Sequence, residues 1–278
     1  MFCGLFFEAP PNIIFIIMKF FNLIYLLSFT LAVDFTNKTI TIDSISMDTS
    51  WDQIGDHHRS LILKTAEEEY CLEVDFYSQD KKMFYVNYLK GGGLCPSGKR
   101  IMNELISHTD VQGYKIGALL DDSQFHVTKN KDESRLLSSR ILNAIDWGFD
   151  CGDYAYSYYN QFGFQYSPED NKLLKEAENY FKQVKLETFK RRLSGYTKER
   201  WEVLTRKYKL DKEILLKDFF MELKKDNANE YSQLIYETFY LADHMTKDNQ
   251  RFLLILGSLY DMTRDIDNLK QIDCKKIF

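Results

Sequence analysis

MFYVNYLKGGGLCPSGKRIMNELIS, from Met83 to Ser107, joins three local patterns in one stretch. Met83 to Leu89 is an apolar, aromatic-rich run that reads as a buried strand, Gly91, Gly92 and Gly93 break it, and Ile101, Met102 and Leu105 then recur at helical spacing. Strand, glycine loop and helix start together make an anion-binding geometry. Glycines let the backbone approach an anion without a Cβ, and the free N–H groups of a first helical turn, with the positive end of the helix dipole, point toward it.

Two chemistries for this loop follow from the residues alone. Gly93, four intervening residues, Gly98 and Lys99 satisfy most of a nucleoside-triphosphate loop, and Ile116 to Asp121 resembles the apolar strand that ends in a metal-binding acid. Arg100 argues against it, because it stands where Ser or Thr must ligate magnesium and sets a positive charge beside the ion. The second is a cysteine nucleophile. Cys95 precedes a helix N-terminus, where a thiolate is stabilised, and His108 or His126 is the candidate base; a structural thiol or half of a disulfide is the competing reading.

The chain of 278 residues carries 15% aromatic residues, which argues against disorder, and a formal charge of −5, which supplies no basic field for nucleic acid. From Met18, MKFFNLIYLLSFTLAVD has one lysine, an apolar run from Phe20 to Leu31 and the small residues Thr30 and Ala32. Those are the parts of a secretory signal peptide spanning residues 1–32, with cleavage expected after Ala32 and a start at Met18 suiting it better than Met1. Taken from Ile13, the run reaches transmembrane length despite Lys19, so an uncleaved anchor is the other reading and the one membrane contact expected. Removing the leader removes Cys3 and leaves Cys71, Cys95, Cys151 and Cys274, either as two disulfides in any of three pairings or as buried thiols. Asn37-Lys38-Thr39 is an N-glycosylation acceptor that agrees with secretion.

Along the chain, strands are expected at Phe35 to Ile42, Cys71 to Tyr77, Met83 to Leu89, Tyr114 to Leu120 and Phe164 to Tyr166. A short helix is expected around Trp51 to His58, a helix or strand over Leu136 to Ile145, and a polar loop at Lys129 to Glu133. His57 and His58 read as a solvated pair without matched metal ligands. Cys151 to Phe164, CGDYAYSYYNQFGF, reads as a short aromatic helix stopped by Gly163. From Ser167 the character changes. Ser167, Pro168, Glu169 and Asp170 supply an N-cap, a first-turn proline and first-turn acids, and amphipathic helices follow from Thr197, Asp211, Glu230 and Thr246, so residues 167–278 are expected to be all helical.

Taken together, the hairpin strand, the glycine loop, the further strand and the run A-x-x-x-Y-x-x-x-G-F at Ala155, Tyr159, Gly163 and Phe164 resemble the GNAT N-acetyltransferase superfamily over Phe35 to Tyr166. The resemblance implies an α+β domain over residues 33–166, with a mixed, mostly antiparallel sheet of acyl-CoA N-acyltransferase type, followed by the helical region. It implies acetyl-CoA as cofactor, held through its pyrophosphate by Gly93, Leu94, Cys95, Pro96, Ser97, Gly98 and Lys99, with an unidentified amine as acceptor. Tyr159 matches the tyrosine that protonates the departing thiolate, a transfer between groups of similar basicity. The chain departs from the family pattern at Pro96, which removes an N–H donor, at the missing second loop glycine, and at Gly152, where an asparagine is common. No carboxylate stands out as a base, although Asp75, Asp121 and Asp122 lie near expected strand ends. The function expected is acetyl transfer in the secretory pathway, or a secreted non-catalytic protein that keeps this frame and binds a protein partner through its helical region.

Overall fold

The computed structural model describes residues 33–79, 82–121, 124–126, 136–191, 193, 195–208, 213–239, 247–270 and 272–277. The leader, Asp122 and the polar loop at Lys129 to Glu133 lie outside the described residues.

The strands of the main sheet are β1 (Thr39–Ile42), β2 (Ile45–Gly55), β3 (His58–Thr65), β4 (Tyr70–Tyr77), β5 (Met83–Leu89), β6 (Ile116–Asp121), β10 (Gln165–Tyr166) and β11 (Tyr260–Asp265). They hydrogen-bond in the order β1-β2-β3-β4-β5-β6-β11-β10. The sheet is mixed and mostly antiparallel. β5 runs parallel to β6, from Met83↔Ile116 to Val86↔Leu119, over the first four residues of each strand. A parallel pair needs a crossover, and helix α1 (Gly98–Val111) supplies it. Two short ladders stand apart: β7 (Gln124–His126) with β8 (Leu136–Ser138), and β9 (Phe149–Asp150) with β12 (Lys275–Lys276).

By its contacts the chain divides into two units, with breaks that fall within β2, β3, β4 and β5. The first unit holds the described residues up to Ile54, with Arg59–Glu73 and Tyr88–Gly113. Its core is Phe35, Ile40, Met47, Leu61, Leu63, Leu72, Ile101, Met102 and Leu105, all buried. Each such side chain removed from water contributes about 1.5–3 kcal/mol before the entropy cost of ordering it. Trp51, expected in a helix, lies in β2, where its indole N–H donates to the Phe35 carbonyl at 2.8 Å. The alternation that would have announced a strand is missing because most of β2 is exposed. β1 begins at Thr39, later than expected, since Asn37 N–H turns back to the Asp34 carbonyl at 3.2 Å.

The second unit holds β6, β10, β11 and the helices that follow β6. Leu136 to Ile145, left between helix and strand, contains both: β8, the short helix α2 (Ser139–Leu142) and the start of a π-helical turn, Asn143–Trp147. Ser167 caps α3 (Pro168–Gln183), its Oγ accepting from Asp170 N–H at 3.1 Å, with Pro168 at the first helical position. Then come α4 (Leu186–Arg191), α5 (Gly195–Tyr208), α6 (Leu216–Asp226), α7 (Ala228–Phe239) and α8 (Lys247–Gly257). Trp201 is fully buried, its ring within 5.4 Å of those of Phe189, Phe219 and Phe220, and its N–H donates to Thr238 Oγ1 at 2.9 Å. That partner makes it affordable to bury the polar edge of the indole.

The expectation that residues 167–278 are all helical is corrected: the region is largely helical, but β11 enters the main sheet and β12 pairs with β9. Leu259 and Tyr260, which lie in the helical stretch expected from Thr246, follow the end of α8 at Gly257, and Tyr260 opens β11. In YDMTRD the two buried positions are Met262 and Arg264. The inward arginine hides the period of two. Its Nε donates to the Phe162 carbonyl at 3.1 Å, which is how a guanidinium is buried there.

Candidate functional site

The glycine loop is built by local rules and then closed by two long-range ties. Gly92 and Gly93 take positive φ of 85° and 70°, a region in which side chains are rare. Cys95 N–H donates to the Gly92 carbonyl and Gly92 N–H to the Pro96 carbonyl, both at 3.2 Å. Ser97 caps α1, its Oγ accepting from Arg100 N–H at 3.3 Å. Gly91 is needed for close approach, since a Cβ there would fall 2.3 Å from the Gly98 nitrogen.

The first long-range tie is a disulfide between Cys71 and Cys95. It overturns the cysteine-nucleophile reading, because Cys95 has no thiol to ionise. Of the proposed bases, His108 is buried with its ring edge-on to Phe35 at 5.2 Å, and burial lowers its pKa against the opposing effect of Asp34. The other two cysteines, Cys151 and Cys274, form the second disulfide, which settles the pairing left open by the sequence.

The second tie is Glu69. One carboxylate oxygen accepts from Leu94 N–H at 3.1 Å and the other pairs with Lys90. Both lie 3.8 Å from where a Cβ on Gly93 would sit. Hydrogen bonding to Lys90 first, then to Leu94 N–H, holds this carboxyl below the usual range. A carboxylate of the chain's own, paired with Lys90, thus rests on the loop.

Of the residues expected to hold a cofactor, Gly93 and Leu94 therefore face Glu69, Cys95 is buried in a disulfide, the Ser97 hydroxyl serves as a helix cap, Gly98 abuts Gly91, and Lys99 is exposed. Arg100 Nε lies 3.2 Å from Asp43 Oδ1. Tyr159 belongs to the second unit. It sits in a 3-10 turn, Tyr158–Phe162, held by a capping box in which Ser157 N–H donates to Asn160 Oδ1 at 2.6 Å and Ser157 Oγ accepts from Tyr159 N–H at 3.1 Å. Its ring is buried, edge-on to Tyr158 and Phe164 at 5.3 and 6.4 Å. Gly163, at φ 84°, ends the turn where the sequence placed the stop.

No family model, curated protein or solved structure matches this chain.

Three buried polar clusters escaped the sequence reading. Arg140, 1% exposed, donates from Nη1 to Asp121 Oδ2 at 2.6 Å and to the Asp121 carbonyl at 3.1 Å, and from Nε to the Leu256 carbonyl at 3.0 Å. Tyr166 OH also donates to Asp121. Burial works to lower the Arg140 pKa, but Asp121 and Tyr166 outweigh it and raise it. Asp121 is thus a structural anion rather than the free strand-end base the sequence allowed. Asp146 accepts from Tyr231 OH at 2.6 Å and pairs with Lys224. Glu178 accepts from Tyr156 N–H at 2.6 Å, with Lys182 and Lys175 at 3.6 and 3.8 Å from its other oxygen, and burial raises its pKa. The available signal was a charge at a position the period assigns inward: Arg140 before Ile141-Leu142, and Glu178 beside Ala177 on the Leu174–Phe181 face. His58 Nε2 lies 3.3 Å from Asp75 Oδ1, so Asp75, one of the acids near an expected strand end, has a partner in its own unit.

A groove of about 400 Å³ is lined by Glu187, Lys190, Lys198, Glu202 and Arg206, none of them an expected site residue. No helix among the described residues is long and apolar enough to cross a membrane.

Proposed function

We propose that this chain is a secretory-pathway protein that keeps a GNAT-type frame and works as a disulfide-braced binding scaffold, without a nucleotide cofactor in its glycine loop. The observation that carries this reading is the Glu69 carboxylate on the loop. It consumes the Leu94 N–H and engages Lys90 in an ion pair, so the cofactor would meet both a lost donor and a lost cation. Two disulfides are consistent with an oxidising compartment. The protein partner falls to the helical region.

Acetyl transfer to an amine is the second reading, favoured by the parallel ladder of β5 with β6 that covers only the first four residues of each strand. A cofactor as long as acetyl-CoA needs neighbouring strands that part. In that case the amine would attack the thioester, backbone N–H groups would stabilise the oxyanion, and Tyr159 would protonate the leaving thiolate.

One titration separates the two. The purified chain, heated with and without millimolar acetyl-CoA, is expected to melt at the same temperature and to give no saturable heat of binding. A rise in melting temperature, which ligation of the folded state must produce, would sink the scaffold reading. Turnover of an amine panel that is lost in Tyr159→Phe while cofactor binding survives would then assign the acid.

A further inference from the structure

The acceptor triplet Asn37-Lys38-Thr39 is the only N-x-S/T in the sequence. Folding gives it a defined setting. All three residues are exposed, Asn37 on a turn and Thr39 at the first position of β1. The turn is anchored through the backbone: Asn37 N–H donates to the Asp34 carbonyl at 3.2 Å, and the Asn37 carbonyl accepts from Thr49 Oγ1. Its main chain is held while its side-chain amide faces solvent. β1 stands at one end of the strand order, so bulk attached at this turn displaces no core residue.

We propose that Asn37 is N-glycosylated. The inference rests on the secretory-pathway part of the function proposed above, since the sugar donor is found only on that route. The donor is an oligosaccharide linked to a lipid through pyrophosphate. Asn37 Nδ2 attacks the anomeric carbon, a C–N bond forms as the C–O bond to the pyrophosphate breaks, the lipid pyrophosphate leaves with the electron pair, and the amide proton passes to the transferase. Nothing is oxidised or reduced. In the folded chain the Thr39 hydroxyl donates to Asp48 Oδ1 on β2 at 3.1 Å, and Thr39 pairs with Asp48 in the β1–β2 register. The transferase needs that hydroxyl free, so transfer precedes closure of the hairpin and takes place on the entering chain. A hydrated glycan beside this edge strand then opposes strand addition from another chain.

The test expresses the full chain in a eukaryotic secreting cell line as wild type, Asn37→Gln, Thr39→Ala and Thr39→Ser. Medium, organelle lumen and cytosol are each digested with peptide N-glycosidase and mapped by mass spectrometry. The expected result is wild-type and Thr39→Ser protein in the medium or lumen that loses one oligosaccharide on digestion, with Asn37 converted to aspartate, and no such loss in Asn37→Gln or Thr39→Ala. Protein in the medium or lumen with unmodified Asn37 overturns the glycosylation alone. Protein confined to the cytosol overturns the secretory reading and the glycosylation with it.

Discussion

The Glu69 carboxylate accepts the backbone N–H of Leu94 at 3.1 Å across a sequence separation of 25 residues, and so ties the residue before β4 to the middle of the glycine loop. Glu69→Gln is expected to weaken that bond and to abolish the pair with Lys90, so the Leu94 amide should exchange with deuterium faster in the variant. The pH dependence has a definite sign. Because the folded pKa lies below the usual 4.5, the contribution is complete above that value and is lost as the pH falls through the folded pKa. Melting curves should therefore show a loss of stability below about pH 4.5 that is shallower in Glu69→Gln.

His108 gives a second pH signature at a higher range. Burial lowers its folded pKa from 6.5, so the unfolded chain takes up a proton that the folded chain refuses. Stability is complete above about pH 6.5 and falls as the pH drops below it, until the folded histidine is protonated. His108→Leu should flatten that part of the melting profile and leave the lower, Glu69-dependent part in place.

Removing Arg140 would take from Asp121, 0% exposed, its guanidinium partner. Breaking such a pair costs about 3–5 kcal/mol. Urea denaturation of Arg140→Met should show a loss of that order, and Arg140→Met with Asp121→Leu should recover part of it. Equal losses in the single and double variants would mean that the charge is relieved in some other way.

The two disulfides should differ in weight. Cys71 and Cys95 are separated by 24 residues and Cys151 and Cys274 by 123, so the second removes more freedom from the unfolded chain. Loop-closure entropy puts the first near ~3 kcal/mol and the second near ~5 kcal/mol. Paired Cys→Ser variants compared by urea midpoint should fall in that order, and a non-reducing peptide map should return these two pairings.

Much of the frame was legible because its causes are local. Met83 to Leu89 reads as a strand and is β5, the helical spacing from Gly98 is α1, and Gly163 stops the turn around Tyr159. Trp51 misled because an exposed strand has no alternation to display, and β11 was missed because a buried arginine stands at one of its two inward positions. At the site, the loop itself could be read but not its occupant. Glu69 looks like any surface acid in the run Ala66 to Tyr70, and nothing nearby in sequence marks it as the partner of Lys90 and Leu94.

By itself, then, the sequence determined the elements set by neighbouring residues: the glycine loop with the helix that follows it, the Ser167-Pro168 helix start, and the α+β class with a largely helical C-terminal region. The tertiary structure alone decided which cysteines pair, that Glu69 sits on the loop, that Asp121 belongs to Arg140, and that a strand from residues 260–265 returns to the sheet. The reason is physical. Capping, turn conformation and hydrophobic period act over a few residues, whereas the partner of a charge, a thiol or a sheet edge is chosen by where distant segments meet once the core has closed.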